Sequence, residues 1–253
     1  MAEGAVYPSL RNRTVVVTGG ASGIGEAIVR QFAAQGSKVG FIDIDEGAAR
    51  RLLADLPPAA PVHFERCDLR DITDLRRAIA AIRAALGPIT ILVNNAARDD
   101  RHALEDVTPE FWDERIAVNL KHQFFAAQAV APDMTAAGGG SIVNLGSVSW
   151  MVGQGNMPCY TTAKSAVQGL TRALARDLGP RNIRVNAVVP GWIMTQRQLD
   201  MWLTPEGEAE LMARQCLKRK LYPDDIARVV LFFASDDSGA CTNQSHVADG
   251  GWV

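Results

Sequence analysis

A tyrosine and a lysine lie four residues apart, as Tyr160 and Lys164. If the segment is helical, this spacing places the phenol and the ammonium group on one face of the helix. Tyrosine titrates at about pH 10 and is a poor base at neutral pH, but a nearby ammonium group favours the phenolate and lowers its pKa. Ser147 lies 13 residues upstream, directly after a short apolar run. The three side chains suit proton transfer, although Tyr160 and Lys164 alone also fit an ordinary surface pair.

A glycine-rich turn follows the first apolar run of the chain. It reads TGGASGIG over 18–25 and leads into an amphipathic segment. Such glycines permit a tight turn and let the backbone approach a pyrophosphate, which the N-terminus of the next helix attracts. Asp43 follows 18 residues after Gly25, where its carboxylate could accept bonds from ribose hydroxyls and repel a 2′-phosphate. The pattern predicts a dinucleotide site that favours NAD over NADP. A structural loop and a solvated carboxylate remain the alternatives.

Short apolar runs alternate with longer amphipathic segments along the chain. Several of the runs are rich in valine and isoleucine and are bounded by Gly, Asn or Pro, as buried strands are. The predicted strands are 14–18, 38–43, 62–68, 91–94, 141–145, 183–189 and 245–249. Between them, apolar residues at spacings of three and four in 71–86 predict a helix, and Thr108-Pro109 predicts the start of another. This alternation predicts an α/β fold: a Rossmann-type, doubly wound parallel sheet of about seven strands with helices on both faces.

No second domain is apparent, so we expect one domain over residues 1–253. The segment 190–215 is too small for a domain and better suits a loop and short helix that cover a substrate. Within it, 203–208 (LTPEGE) is predicted to be a loop.

The composition excludes several classes of protein. The 253 residues are 47% apolar and 21% charged, with a net charge of −2, so no nucleic-acid or anionic-membrane partner is expected. No run of apolar residues is long enough to span a membrane, and the N-terminus lacks the apolar core of a signal peptide. Four cysteines are far apart and no metal-ligand pattern occurs, which indicates free thiols, no metal and a cytoplasmic location. The cysteines are Cys67, Cys159, Cys216 and Cys241.

Taken together, these motifs make the chain similar to the short-chain dehydrogenase/reductase family over nearly its whole length. The residues that carry the resemblance are Thr18–Gly25, Asn94-Asn95-Ala96, Asn119, Ser147, Tyr160, Lys164, Pro190-Gly191 and Thr195. One departure is Ala97, where the family usually has glycine. It would matter only if this position needs a positive φ.

The resemblance implies roles for the matching residues. Ser147 would orient the reacting oxygen and Tyr160 would transfer its proton. Lys164 would hold the nicotinamide ribose and tune Tyr160, and Asn119 would anchor a water that links the lysine to solvent. Asp68 would meet the adenine and Thr195 the carboxamide. The cofactor-binding residues so implied are Gly19, Ser22, Gly23, Ile24, Gly25, Asp43, Asp68, Asn95, Tyr160, Lys164, Pro190, Ile193 and Thr195.

Substrate choice should reside in the loops after the fourth and fifth predicted strands and in 190–215. The predicted substrate-binding residues are Arg98, Ser149, Gln154 and Trp192. Polar groups mixed with tryptophan suit a polyhydroxylated ring, which needs hydrogen bonds and an apolar face for stacking. Arg98 could also meet a carboxylate or sulfonate, although the charged run 98–102 is equally compatible with a solvated turn.

Several stretches further resemble bacterial D-xylose 1-dehydrogenases of this family. They are 94–102, 112–120, 195–209, 215–218 and 232–242. This resemblance implies NAD-dependent oxidation of a free sugar, such as D-xylose or a related pentose or hexose, at its anomeric carbon to the lactone.

Two other functions remain open. One is a carbonyl reductase acting on a 3-oxoacyl thioester or a small ketone. The other is a non-catalytic protein that senses NAD. Family members are usually homotetramers or homodimers built through the long helices that would carry Asn119 and Tyr160, so a homo-oligomer is expected.

Overall fold

The apolar runs of the sequence form strands, most of which are buried on both faces. They are β1 (Thr14–Thr18), β2 (Lys38–Asp43), β3 (Val62–Arg66), β4 (Ile89–Asn94), β5 (Gly140–Leu145), β6 (Ile183–Pro190) and β7 (Ser245–Ala248). The computed structural model describes residues 4–253, so the first three residues of the predicted domain lie outside the described part. All strand pairs are parallel, in the order β3-β2-β1-β4-β5-β6-β7. The predicted Rossmann-type sheet is confirmed.

Helices cover both faces of this sheet. They are α1 (Gly23–Ala34), α2 (Glu46–Asp55), α3 (Ile72–Leu86), α4 (Pro109–Ile116), α5 (His122–Ala136), α6 (Pro158–Leu178), α7 (Gln196–Met201), α8 (Pro205–Arg214) and α9 (Pro223–Ala234). One apolar core contains residues of α1, α2 and α9, and the core on the opposite face contains residues of α3, α5 and α6. Both cores bury aliphatic side chains of the intervening strands, which is the two-faced burial expected of a parallel sheet.

Local capping signals explain where two of the helices begin. The predicted helix 71–86 is α3, and the carboxylate of Asp71 accepts hydrogen bonds from the backbone N–H groups of Thr73 and Asp74 at 2.8 and 3.2 Å. The predicted start at Thr108 is also confirmed, because its hydroxyl accepts from the N–H of Phe111 at 3.2 Å.

The prediction of a loop at 203–208 was wrong. Helix α8 begins at Pro205, and the hydroxyl of Thr204 accepts from the N–H of Gly207 at 3.1 Å. Glu206 and Glu208 lie in the first turn, where acidic side chains interact favourably with the helix dipole. Threonine followed by proline therefore starts a helix here, as it does at Thr108.

The sheet order places a switch point between β1 and β4. From β1 the chain first builds β2 and β3 on one side and then crosses to build β4 to β7 on the other. Ligands of open α/β sheets bind beyond the carboxyl ends of the strands at such a point. Among residues 4–253, no helix is long and apolar enough to cross a bilayer, and no three His, Cys, Asp or Glu side chains cluster as a metal site.

Candidate active site

A cleft of about 1310 Å³ opens along the carboxyl ends of the strands. It is lined by every predicted site residue except Asn119. These lining residues are Gly19, Ser22, Gly23, Ile24, Gly25, Asp43, Asp68, Asn95, Arg98, Ser147, Ser149, Gln154, Tyr160, Lys164, Pro190, Trp192, Ile193 and Thr195. The fold therefore brings the glycine turn, the tyrosine and lysine, and the predicted substrate loops to one continuous surface.

The glycine turn is closed by backbone contacts that leave no room for side chains. A Cβ atom on Gly25 would lie 1.9 Å from the carbonyl oxygen of Gly19, whose own φ is +64°. The side-chain amide of Asn95 donates to the carbonyls of Thr18 and Gly19 at 3.1 and 2.9 Å. Ser22 precedes α1 without a side-chain cap, so the N–H groups of the first helical turn stay free to meet an anion. These features fit a dinucleotide pyrophosphate.

Asp43 joins the end of β2 to the glycine turn. One carboxylate oxygen accepts from the N–H of Ala21 at 2.9 Å, and the other accepts from the N–H of Asp45 at 3.1 Å. The next side chain, Ile44, is uncharged and 53% exposed. The Asp43 carboxylate therefore lies at the edge of the glycine turn, next to the apolar side chain of Ile44.

Asp68 lies at the far end of the same cleft. The guanidinium of Arg70 bonds both of its oxygens, at 2.6 to 3.0 Å, and holds the pKa of this carboxyl below its usual value. Its predicted contact with the adenine stays a prediction.

Ser147, Tyr160 and Lys164 meet where β5 and α6 adjoin the cleft. The hydroxyl of Ser147 accepts from the N–H of Ser149 at 3.1 Å. The Lys164 ammonium group donates to the carbonyl of Leu145 at 2.7 Å, and its nitrogen lies 5.7 Å from the centre of the Tyr160 ring. One of its three donors is used by Leu145. Because Lys164 is only 1% exposed, the other two donors also face the protein or the cleft rather than bulk water.

Burial is the largest influence on the pKa values of Tyr160 and Lys164. It raises the pKa of Tyr160 to about 12, and the hydrogen bond from Ser147 opposes the rise only in part. Burial also lowers the pKa of Lys164 to about 8, against the opposing charge of Asp99. This rise opposes the lowering expected from Lys164, and the further lowering expected from the positive nicotinamide ring of an oxidised cofactor stays a prediction.

Asn119 lies in a single π-helical turn, Ala117–Lys121, between α4 and α5. Its side chain is fully buried and bonded to the loop after β4. The amide nitrogen donates to the carbonyls of Arg98 and Arg115, and the amide oxygen accepts from the N–H of Arg98 at 2.8 Å. Asn119 therefore positions this loop, and the water proposed for it stays a prediction. Single π-turns frequently occur at functional sites.

The predicted substrate residues differ in how they are held. The Arg98 guanidinium pairs with Asp100 at 3.0 Å and its side chain is 55% exposed. Ser149 is buried and Gln154 is exposed. The indole N–H of Trp192 donates to the side-chain oxygen of Gln198 at 2.8 Å.

Sequence reasoning missed the side chains that join the loop after β4 to α7. The Asp99 carboxylate accepts from the Gln198 amide at 2.7 Å and pairs with the Arg197 guanidinium at 3.2 Å. Asp100 pairs with Arg197 and with the buried Arg115, both at 2.6 Å. The run 98–102 is thus not a solvated turn, because most of its charges pair within the protein.

Comparison with known proteins identifies the family. A family model described as Enoyl-(Acyl carrier protein) reductase matches residues 19–253. The chain is also 50% identical over 250 residues to D-xylose 1-dehydrogenase of Caulobacter vibrioides, covering 98% of both chains. The protein belongs to the short-chain dehydrogenase/reductase family. It is therefore an oxidoreductase of a family that uses a nicotinamide cofactor.

Other family members are similarly close. The protein named "Probable galactose dehydrogenase GalD" of Rhizobium meliloti is 51% identical over 248 residues, covering 97% of this chain and 96% of that one. A solved structure from Sinorhizobium meliloti superposes with a TM-score of 0.91 at 31% identity, covering 97% of this chain and 98% of the other.

The departure at Ala97 causes no backbone strain. This residue is not among the non-glycine residues with positive φ in the described part of the chain. The methyl group that replaces the family's usual hydrogen is therefore tolerated.

Proposed function

We propose that the protein is an NAD-dependent sugar 1-dehydrogenase that oxidises a free aldose at its anomeric carbon to the lactone. The observation that carries the proposal is that Ser147, Tyr160 and Lys164 line the same cleft as the glycine turn, beside a polar and aromatic wall. Two relatives of nearly equal identity are named for D-xylose and galactose, which supports a sugar as the substrate.

The cofactor assignment rests on the glycine turn and on Asp43. The backbone cradle between Gly19 and Gly25 suits the pyrophosphate, and the carboxylate of Asp43 suits ribose hydroxyls while repelling a 2′-phosphate. The group held there would supply an acceptor for a hydride from the substrate carbon. Initial rates with NAD and with NADP test the preference, which would be refuted by equal kcat/KM values for the two.

The protein's own residues manage the proton. With the anomeric hydroxyl between Ser147 and Tyr160, the tyrosine, as the phenolate, takes the hydroxyl proton and becomes a phenol while Ser147 holds the reacting oxygen in place. Lys164 keeps its ammonium charge near the ring, which favours the phenolate over the phenol. Burial of Lys164 shields its charge from bulk water and strengthens the interaction of that charge with a phenolate.

An absorbance assay at 340 nm with NAD and a panel of free aldoses tests this function. The panel contains pentoses, 6-deoxyhexoses, hexoses, and hexoses that carry a carboxylate or sulfonate. We expect strong turnover of at least one sugar, and its loss in Tyr160→Phe, which keeps the ring but lacks the proton acceptor. No turnover of any sugar would refute the assignment. Reduction of ketones by NADH would then favour the carbonyl reductase, and NAD binding without any turnover would favour the sensing protein.

We also propose that 190–215 covers the substrate and that the protein is a cytoplasmic homo-oligomer, a tetramer or otherwise a dimer. Helices α7 and α8 lie within 190–215, and Trp192 and Trp202 of this segment line the cleft.

The proposed oligomer needs apolar surface for a subunit contact. Trp112 of α4 and Phe124 of α5 are 39% and 41% exposed and provide such a surface. Light scattering after gel filtration measures the mass, and a monomer would refute the oligomer.

A further inference from the structure

Asp99 differs from its neighbour Asp100, although both are carboxylates of one loop. Asp100 is committed to guanidinium groups of three arginines, at 2.6 to 3.0 Å. Asp99 has one donor on each oxygen, Arg197 at 3.2 Å and Gln198 at 2.7 Å. A carboxylate offers about four acceptor positions, so about two positions on Asp99 remain free.

Asp99 lies at the catalytic end of the cleft. Its side chain is 22% exposed and lines the cleft together with Ser147 and Tyr160. Its charge acts to raise the pKa values of Tyr160 and Lys164, which places it within electrostatic range of both. A partly buried carboxylate with unused acceptor positions is a strong acceptor for hydroxyl donors.

The same contacts fix the orientation of an aromatic face beside this carboxylate. Gln198 donates to Asp99 through its amide nitrogen and accepts from the Trp192 indole through its amide oxygen, so both ends of the amide are used. The far edge of the indole ring lies against Gly207, where a Cβ atom would be 3.2 Å from the ring. Trp192, Gln198 and Asp99 thus form a connected series that presents an apolar ring and a charged acceptor to the cleft.

We propose that Asp99 recognises one ring hydroxyl of the sugar and is the residue that distinguishes a polyhydroxylated substrate from a simple alcohol. The aldose would lie with an apolar C–H face on Trp192 and donate a hydroxyl hydrogen to Asp99 while its anomeric hydroxyl meets Tyr160. This inference rests on the proposed function. It adds Asp99, carried by Gln198, to the residues that decide the substrate.

Monodeoxy analogues of the sugar that the wild-type enzyme oxidises best test this role. A hydroxyl that bonds a charged group should make the wild type reject one analogue by about 10- to 100-fold in kcat/KM. Asp99→Asn keeps the size of the side chain but removes its charge. It should lose the discrimination against that one analogue and keep it against the others. A purely structural role in holding α7 would instead affect all analogues alike.

Two further variants complete the experiment. Asp99→Glu retains the charge but displaces the acceptor, and it should also lose discrimination at the same hydroxyl. Asp106→Asn neutralises an exposed carboxylate on the same cleft and should behave as wild type. The inference would be overturned if folded Asp99→Asn discriminates as the wild type does, or if both Asp99 variants fail to fold. Either result would leave the proposed sugar dehydrogenase function unaffected. Absence of wild-type turnover on all aldoses would overturn both.

Discussion

Replacing Lys164 with methionine should abolish turnover and yet stabilise the folded protein at neutral pH. The side chain is 1% exposed, and its burial lowers the pKa to about 8 from 10.5. Keeping the ammonium group charged inside the protein therefore costs about 3 kcal/mol, at about 1.4 kcal/mol per pH unit. Methionine has a similar length and no charge. It loses the hydrogen bond to Leu145, which is worth about 1 kcal/mol. The net gain in the free energy of unfolding is about 1 to 2 kcal/mol.

The pH dependence of this gain identifies its cause. The folded protein releases the Lys164 proton at a lower pH than the unfolded protein, so the cost is complete below about pH 8 and fades as the pH rises toward 10.5. The advantage of Lys164→Met should therefore be largest at pH 7 and nearly absent at pH 10. Titrating groups far from Lys164 are present in both proteins and cancel from the difference.

Urea unfolding without cofactor, followed by circular dichroism at equal protomer concentration, measures the difference at pH 7 and pH 10. Equal concentration matters because subunit association contributes to apparent stability. Lys121→Met, which removes an exposed lysine, serves as the control and should change stability by no more than about 0.5 kcal/mol. A Lys164→Met protein that is less stable than wild type at pH 7, or whose advantage does not change with pH, would refute the reasoning.

Three further substitutions test the cofactor site and the core. Gly25→Ala should lose NAD binding, measured by fluorescence quenching, and should destabilise the protein by about 3 kcal/mol or more, because its Cβ would lie 1.9 Å from a carbonyl oxygen of the backbone. Asp43→Ala should raise the KM for NAD and narrow the ratio of kcat/KM between NAD and NADP by at least about tenfold, and an unchanged ratio would contradict the role of its charge. Asn144→Ala should cost about 2 to 3 kcal/mol in urea unfolding, because it removes the buried partner of Asn94 and Thr171; a cost below about 0.5 kcal/mol would contradict this.

Much of the fold was predictable because its signals are local. The strands of the sheet centre are continuous apolar runs, and β1 and β2 were predicted with the bounds that the structure gives them. The helix start at Thr108 follows from the capping side chain and the proline beside it. The same pair of residues, Thr204-Pro205, begins α8, so the start of that helix is also encoded locally.

The residues that line the cleft were predictable, but the contacts between them were not. The members of the glycine turn and of the Tyr160–Lys164 pair are close in sequence, and the sheet order brings them together. The bond between Asp99 and Gln198 joins residues 99 positions apart, and no local pattern specifies which side chains meet across such a distance. The pKa of Tyr160 depends on how completely packing excludes water, which spacing alone does not reveal.

The two halves of the cleft differ in how freely they can change during evolution. The cofactor half is built from backbone: the turn packs against itself at Gly25, and Asn95 holds main-chain carbonyls, so most replacements there would destroy the fold of the turn. The substrate half is held by pairs of side chains on loops and on the short helix α7. Replacement of a few such side chains can alter which substrate fits while Ser147, Tyr160 and Lys164 keep their places. Substrate preference can in this way change without rebuilding the catalytic centre.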